Sequence, residues 1–100
     1  MGQRSDVRFH EILAELGALH DKKAADYGRD DDPLANVRAA EEWNVAPWIG
    51  AMIRLTDKVR RLQSLAKKGS LANESAADSL RDIAVYAIIA LILLEEEHTA

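Results

Sequence analysis

The run Ile83 to Leu94, 12 positions without a charged residue, constrains the fold more than any other part of the chain. A bilayer span needs about 18 to 20 apolar residues, so this run is too short to cross one. A helix that is apolar on every side instead needs cover on every side. In a chain of 100 residues, roughly a third of the unfolded surface stays exposed after folding, so a single helical layer offers too little core. Several helices must pack, or subunits must associate. The expected architecture is therefore all-α: a compact four-helix bundle, three helices long and one short, in a single helical domain over residues 1–100. It is expected to assemble into a homodimer or higher homo-oligomer.

The first helix can begin near Ser5 and Asp6, a cap with an acidic first turn. Phe9, Ile12, Leu13, Leu16 and Leu19 form its apolar stripe. It must stop by Gly28, where Gly28-Arg29-Asp30-Asp31-Asp32-Pro33 combines a left-handed-capable residue, a charge run and a proline. Asp32 and Pro33 then cap a short second helix over Leu34 to Trp43, broken at Asn44 to Ala46. The third helix opens at Pro47 and stops at Gly69, with a stripe of Trp48, Met52, Leu55, Val59, Leu62 and Ala66. Ile49 and Ile53 lie about 100° round from that stripe and form a second apolar face that needs cover. The fourth helix starts after Asn73 and reaches about Glu96.

A hydrophobic fraction of 48% supports a core, and 30% charged residues keep the surface wet. The net charge of -4 gives no basic footprint for duplex nucleic acid. There are no cysteines, which removes disulfides and thiolate metal sites. Met1 to Ser5 is polar and lacks the apolar core of a signal peptide, so the expectation is a cytoplasmic protein with no membrane partner.

Glu74, Asp78 and Asp82 follow i, i+4, i+8 spacing, and Tyr86 extends the row. Like charges this close repel unless a cation or basic side chains intervene, and Asp82 adjoins the apolar run. A hard ion such as Mg²⁺ takes carboxylate oxygens together with substrate phosphate. The alternative is a solvated acidic first turn that favours the helix dipole. On the third helix, Asp57 offers a fourth carboxylate, while Arg54, Lys58 and Arg61 follow i, i+4, i+7 spacing and can meet phosphate oxygens or form a salt-bridged face. At the end of the first helix, Lys22 and Lys23 suit a helix C-terminus, but Asp26 and Tyr27 stand where the stripe would demand apolar residues. A phenol can stack on a base, and a carboxylate can hold a hydroxyl or a metal. His10, His20 and His98 lack zinc-site spacing. Trp43 and Trp48 read as core anchors, and no nucleophile stands beside a base.

Four segments in order carry a family resemblance. They are Lys23-Ala24-Ala25-Asp26-Tyr27-Gly28, Asp32-Pro33-Leu34-Ala35-Asn36-Val37, Arg54 through Leu62, and Glu74 through Tyr86. Together they resemble the small helical nucleotide-modification-associated proteins common in bacteriophages. That family is similar in turn to the MazG-type all-α nucleotide pyrophosphohydrolases, in which carboxylates on facing helices bind Mg²⁺ and water attacks a nucleoside triphosphate. The chain departs from the MazG-type E-E-x-x-E pattern, since Glu41-Glu42 is followed by Val45 where the third glutamate would stand. A metal site would then be assembled from Asp57 with Asp78 and Asp82.

The resemblance implies an oligomeric, Mg²⁺-dependent nucleoside triphosphate pyrophosphohydrolase. Asp57 and Asp78 would act in catalysis, and Asp57, Glu74, Asp78 and Asp82 would hold the metal. Lys23, Arg54 and Lys58 would meet phosphates, and Asp26, Tyr27, Asn36 and Tyr86 the sugar or base. A non-catalytic binder, such as a phage-type sponge for a nucleotide signal of host defence, needs the cations and aromatics without the metal. A helical adaptor for another protein needs neither.

Overall fold

The computed structural model describes residues 2–27, 34–69 and 75–99. These are helices joined by turns and short irregular stretches, with no strand among the described residues. The chain divides into two compact units, Met1–Asn36 and Val37–Ala100. Among the described residues no helix is long and apolar enough to cross a membrane.

The first unit holds helix α1, Gly2–Tyr27. It begins before the expected Ser5–Asp6 cap, because nothing between Gly2 and Ser5 breaks a helix. Arg8 pins its outer face, with Nη1 3.0 Å from Glu15 Oε1 and 3.7 Å from Glu11 Oε1. Along the expected stripe, Leu16 is buried and Ile12 and Leu19 are half-buried, whereas Phe9 and Leu13 are exposed.

The second unit corrects the four-helix expectation. The segment read as one short helix is a single α turn, α2 (Ala35–Arg38), followed by a 3₁₀ turn (Ala39–Trp43), so the described residues contain three long helices. Two forces break the short helix. At its end, Asn44 adopts the left-handed conformation at φ 60°, and the Asn44 and Val45 amides donate to the carbonyls of Glu41 (3.0 Å) and Ala40 (3.2 Å). In its middle, the tighter 3₁₀ turn brings Ala40 onto Gly50 of the next helix. Trp43, expected in the core, is 81% exposed, while Trp48 is half-buried.

Helix α3 spans Pro47–Lys68 and α4 spans Ala76–Thr99. Proline opens α3 at a position whose missing amide proton costs nothing, and Gly69 closes it at φ 79° by donating to the Leu65 carbonyl. Ser75 caps α4 in place of the expected Asn73, which lies outside the described residues. Its Oγ accepts from the Asp78 amide at 3.0 Å, and its carbonyl accepts from the Ser79 amide at 3.1 Å. Helix α4 runs back along α3: Asp82 meets Lys58, and Glu96 reaches Arg38 at 2.7 Å, beside the start of α3.

The α3 side of this seam is Ala51, Leu55, Lys58, Leu62 and Leu65, all buried or half-buried at helical spacing. Met52 and Ala66, expected in the stripe, are exposed, and so are Ile49 and Ile53. The α4 side is Ser79, Asp82, Tyr86, Ile89 and Leu93. The seam is thus apolar toward the C-terminal half of α4 and polar toward its N-terminal half.

Gly50 sets the spacing of α2 and the 3₁₀ turn on α3. A Cβ there would stand 2.6 Å from Ala40 Cβ and 3.4 Å from the Val37 carbonyl oxygen. Overpacking costs about 1–3 kcal/mol, while alanine is favoured over glycine in a helix by about 1 kcal/mol. Gly50→Ala is therefore expected to lose roughly 1 kcal/mol in urea denaturation. Adding Ala40→Gly should make the pair of changes less costly than the sum of the two alone. A more stable Gly50→Ala variant would show that the two backbones are not held this closely.

Candidate functional site

The polar half of the α3–α4 seam is built from Lys58, Ser79 and Asp82. Ser79 is fully buried and Asp82 is 7% exposed. Lys58 Nζ lies 2.9 Å from Asp82 Oδ2, and the two side chains are 17% and 10% exposed. Ser79 and Asp82 are one turn apart on the buried face of α4, so the helix itself sets them side by side. The short distance and low exposure make this a charge-assisted contact, stronger than a surface ion pair.

Lys58 also belongs to a second array. Gly50, Arg54, Lys58 and Arg61 follow i, i+4, i+8, i+11 spacing and share one edge of α3. The Val37–Ala40 segment occupies the start of that edge at Gly50. Beyond it the edge carries three cations, with Arg54 and Arg61 exposed and Lys58 turned into the seam. Tyr86 is half-buried on α4 one turn after Asp82. The arrangement can receive an anion: two exposed arginines flank an ammonium whose position a buried carboxylate fixes.

The expected carboxylate cluster is divided. Asp78 is exposed near the start of α4, its Oδ1 3.3 Å from Arg81 Nη1. Asp82 is turned into the seam beside Lys58. Asp57 is exposed, and it is the next residue, Lys58, that meets α4. Glu74 lies outside the described residues. A Mg²⁺ ion needs oxygen ligands converging on one point. Among the described residues no group of three or more His, Cys, Asp or Glu side chains could hold a metal ion. The described donors do not fit a Mg²⁺ site.

In the first unit, Lys23 is exposed in the last turns of α1. Asp26 and Tyr27 end α1 and Asn36 lies in α2, but their side chains fall outside what the structure describes. Ser79 was not among the residues expected from sequence. Its signal was its place three residues before Asp82, where a seam position held neither a large apolar nor a charged side chain.

The sequence profile described as Nucleotide modification associated domain 1 matches residues 23–94. The chain belongs to this family. The match takes in the end of α1, the α2 and 3₁₀ turns, all of α3, and α4 as far as Leu94. Every site residue expected from sequence, and Ser79 besides, lies within this nucleotide modification associated domain. No curated protein and no solved structure matches the chain.

Proposed function

We propose that the chain binds a nucleotide by its phosphates along the Arg54–Lys58–Arg61 edge of α3. The observation that supports this most is the Lys58–Asp82 pair, set in the seam between two exposed arginines of an otherwise acidic chain. A Lys–Asp pair contributes little net stability where an apolar pair would pack as well. An ammonium held in place by a carboxylate does suit an anionic ligand. The family's description, nucleotide modification associated, supports a nucleotide as that ligand. Tyr86, next along α4, would meet the sugar or base.

Binding without turnover is the form of the proposal that the site favours. Hydrolysis of the MazG type needs carboxylates gathered around a cation, and here Asp78 and Asp82 each stand beside a basic side chain.

Calorimetric titration with nucleoside mono-, di- and triphosphates tests the proposal. Removing one charge-assisted hydrogen bond costs about 1.5–3 kcal/mol, so Arg54→Ala should weaken binding by tenfold or more. Because Arg54 is exposed, the variant's folding stability should change by no more than about 0.5 kcal/mol. Undiminished affinity in Arg54→Ala would remove this edge as the site. The bound nucleotide should be recovered intact after denaturation, and release of pyrophosphate would instead establish hydrolysis.

A further inference from the structure

Helix α4 has a second apolar face, opposite the one it gives to α3. Leu80, Ala84, Ile88 and Leu91 follow i, i+4, i+8, i+11 spacing, nearly half a turn round from the seam residues Ser79, Asp82, Tyr86 and Leu93. Leu80 is 57%, Ile88 46% and Leu91 56% exposed. The stripe from Leu80 to Leu91 is about 16 Å long at 1.5 Å per residue. It is continuous, and a charge flanks it near each end: Arg81 toward the N-terminus of α4 and Glu95 toward the C-terminus.

We infer that this face is the interface with a second copy of the chain, two α4 helices packing antiparallel about a two-fold axis near Ile88. The charge placement argues for this occupant. Arg81 and Glu95 each stand seven residues from Ile88, one on either side. An antiparallel pair centred there brings Arg81 level with the partner's Glu95, and the two-fold axis repeats the pair at the other end. Both residues also lie to the same side of the stripe's midline, so the two side chains converge when the faces meet. Ala84 gives the helices room to approach, and Leu91 is level with the partner's Val85, next to that alanine. The Arg81 fork, 3.3 Å from Asp78 in the single chain, can hold both carboxylates. A parallel pair would leave Arg81 and the partner's Glu95 about 21 Å apart along the axis, at 1.5 Å per residue, and so without this ion pair.

Sedimentation equilibrium over a range of micromolar concentrations tests this on the whole chain. The expected mass is about twice the 11.1 kDa of one chain. Leu91→Asp, at an exposed position, should give a monomer with an unchanged helical circular dichroism spectrum. Arg81→Glu and Glu95→Arg should each weaken the dimer by tenfold or more, and the double swap should restore it to near the original affinity. A monomer at every concentration overturns the inference. So does a dimer insensitive to Leu91→Asp, or one in which the double swap fails to rescue the single ones. The last outcome would mean that another face, another register or another partner uses this surface.

Discussion

Asp82→Ala is expected to lower the unfolding free energy by about 3 kcal/mol. The substitution leaves the Lys58 ammonium in the seam without the carboxylate 2.9 Å away. Removing one partner of a buried pair costs about 3–5 kcal/mol because the remaining charge has been taken out of water without compensation. The lower end applies here because both side chains keep a little solvent contact. Replacing both residues, as Lys58→Met with Asp82→Leu, should recover most of the loss, since apolar side chains of similar volume can fill the seam. Urea denaturation of the three variants measures this. Equal destabilisation by the single and the double change would mean that the pair is not coupled across the seam. The same double variant is also expected to lose nucleotide binding while remaining folded, because it removes the Lys58 ammonium; undiminished binding would exclude Lys58 from the site.

Leu93→Ala carries the second large effect. Leu93 is 3% exposed and anchors the apolar half of the seam. Truncating a buried leucine costs about 2–5 kcal/mol, the transfer energy of the lost methyl groups together with the cavity they leave. Leu91, two residues earlier on the opposite face, provides the control. At dilutions where the chain is monomeric, Leu91→Ala should change stability by no more than about 0.5 kcal/mol. Comparable losses at both positions would contradict the assignment of the two faces of α4.

The two faces show what the sequence could and could not convey. Helix α3 was legible at both ends, because Pro47 and Gly69 act through backbone conformation that no distant contact alters. The seam itself was read in part: Leu55 and Leu62 lie in it as expected, while Met52 and Ala66 stand one residue past the seam positions Ala51 and Leu65. A stripe chosen for apolar character takes Met52 and Val59 and passes over Lys58, and only the presence of Asp82 on the other helix makes a lysine acceptable there. The break in the segment from Leu34 to Trp43 was hidden for a similar reason. Its alanines favour a continuous helix, but contact with Gly50, a residue of another element, imposes the tighter turn.

The candidate site was legible in its parts rather than in its pairing. Arg54, Lys58 and Asp82 all stood out by residue type and spacing. Spacing along one helix cannot say which residue of another helix it will face, so Asp57 was set against the acidic row where the structure sets Lys58. Ser79 carries no charge and no distinctive motif, and its place three residues before Asp82 gains meaning only from its complete burial.

Thermal denaturation of the chain with a series of nucleosides and their mono-, di- and triphosphates, in the presence of a chelator, tests the central claim most directly. A ligand that binds the folded state raises the melting temperature by mass action. If the phosphates are held by the cationic edge of α3, the rise should grow with phosphate number, be absent for the nucleoside, persist without Mg²⁺ and shrink in Arg54→Ala. An unchanged melting temperature across the whole series, at concentrations up to millimolar, would contradict nucleotide binding by this chain.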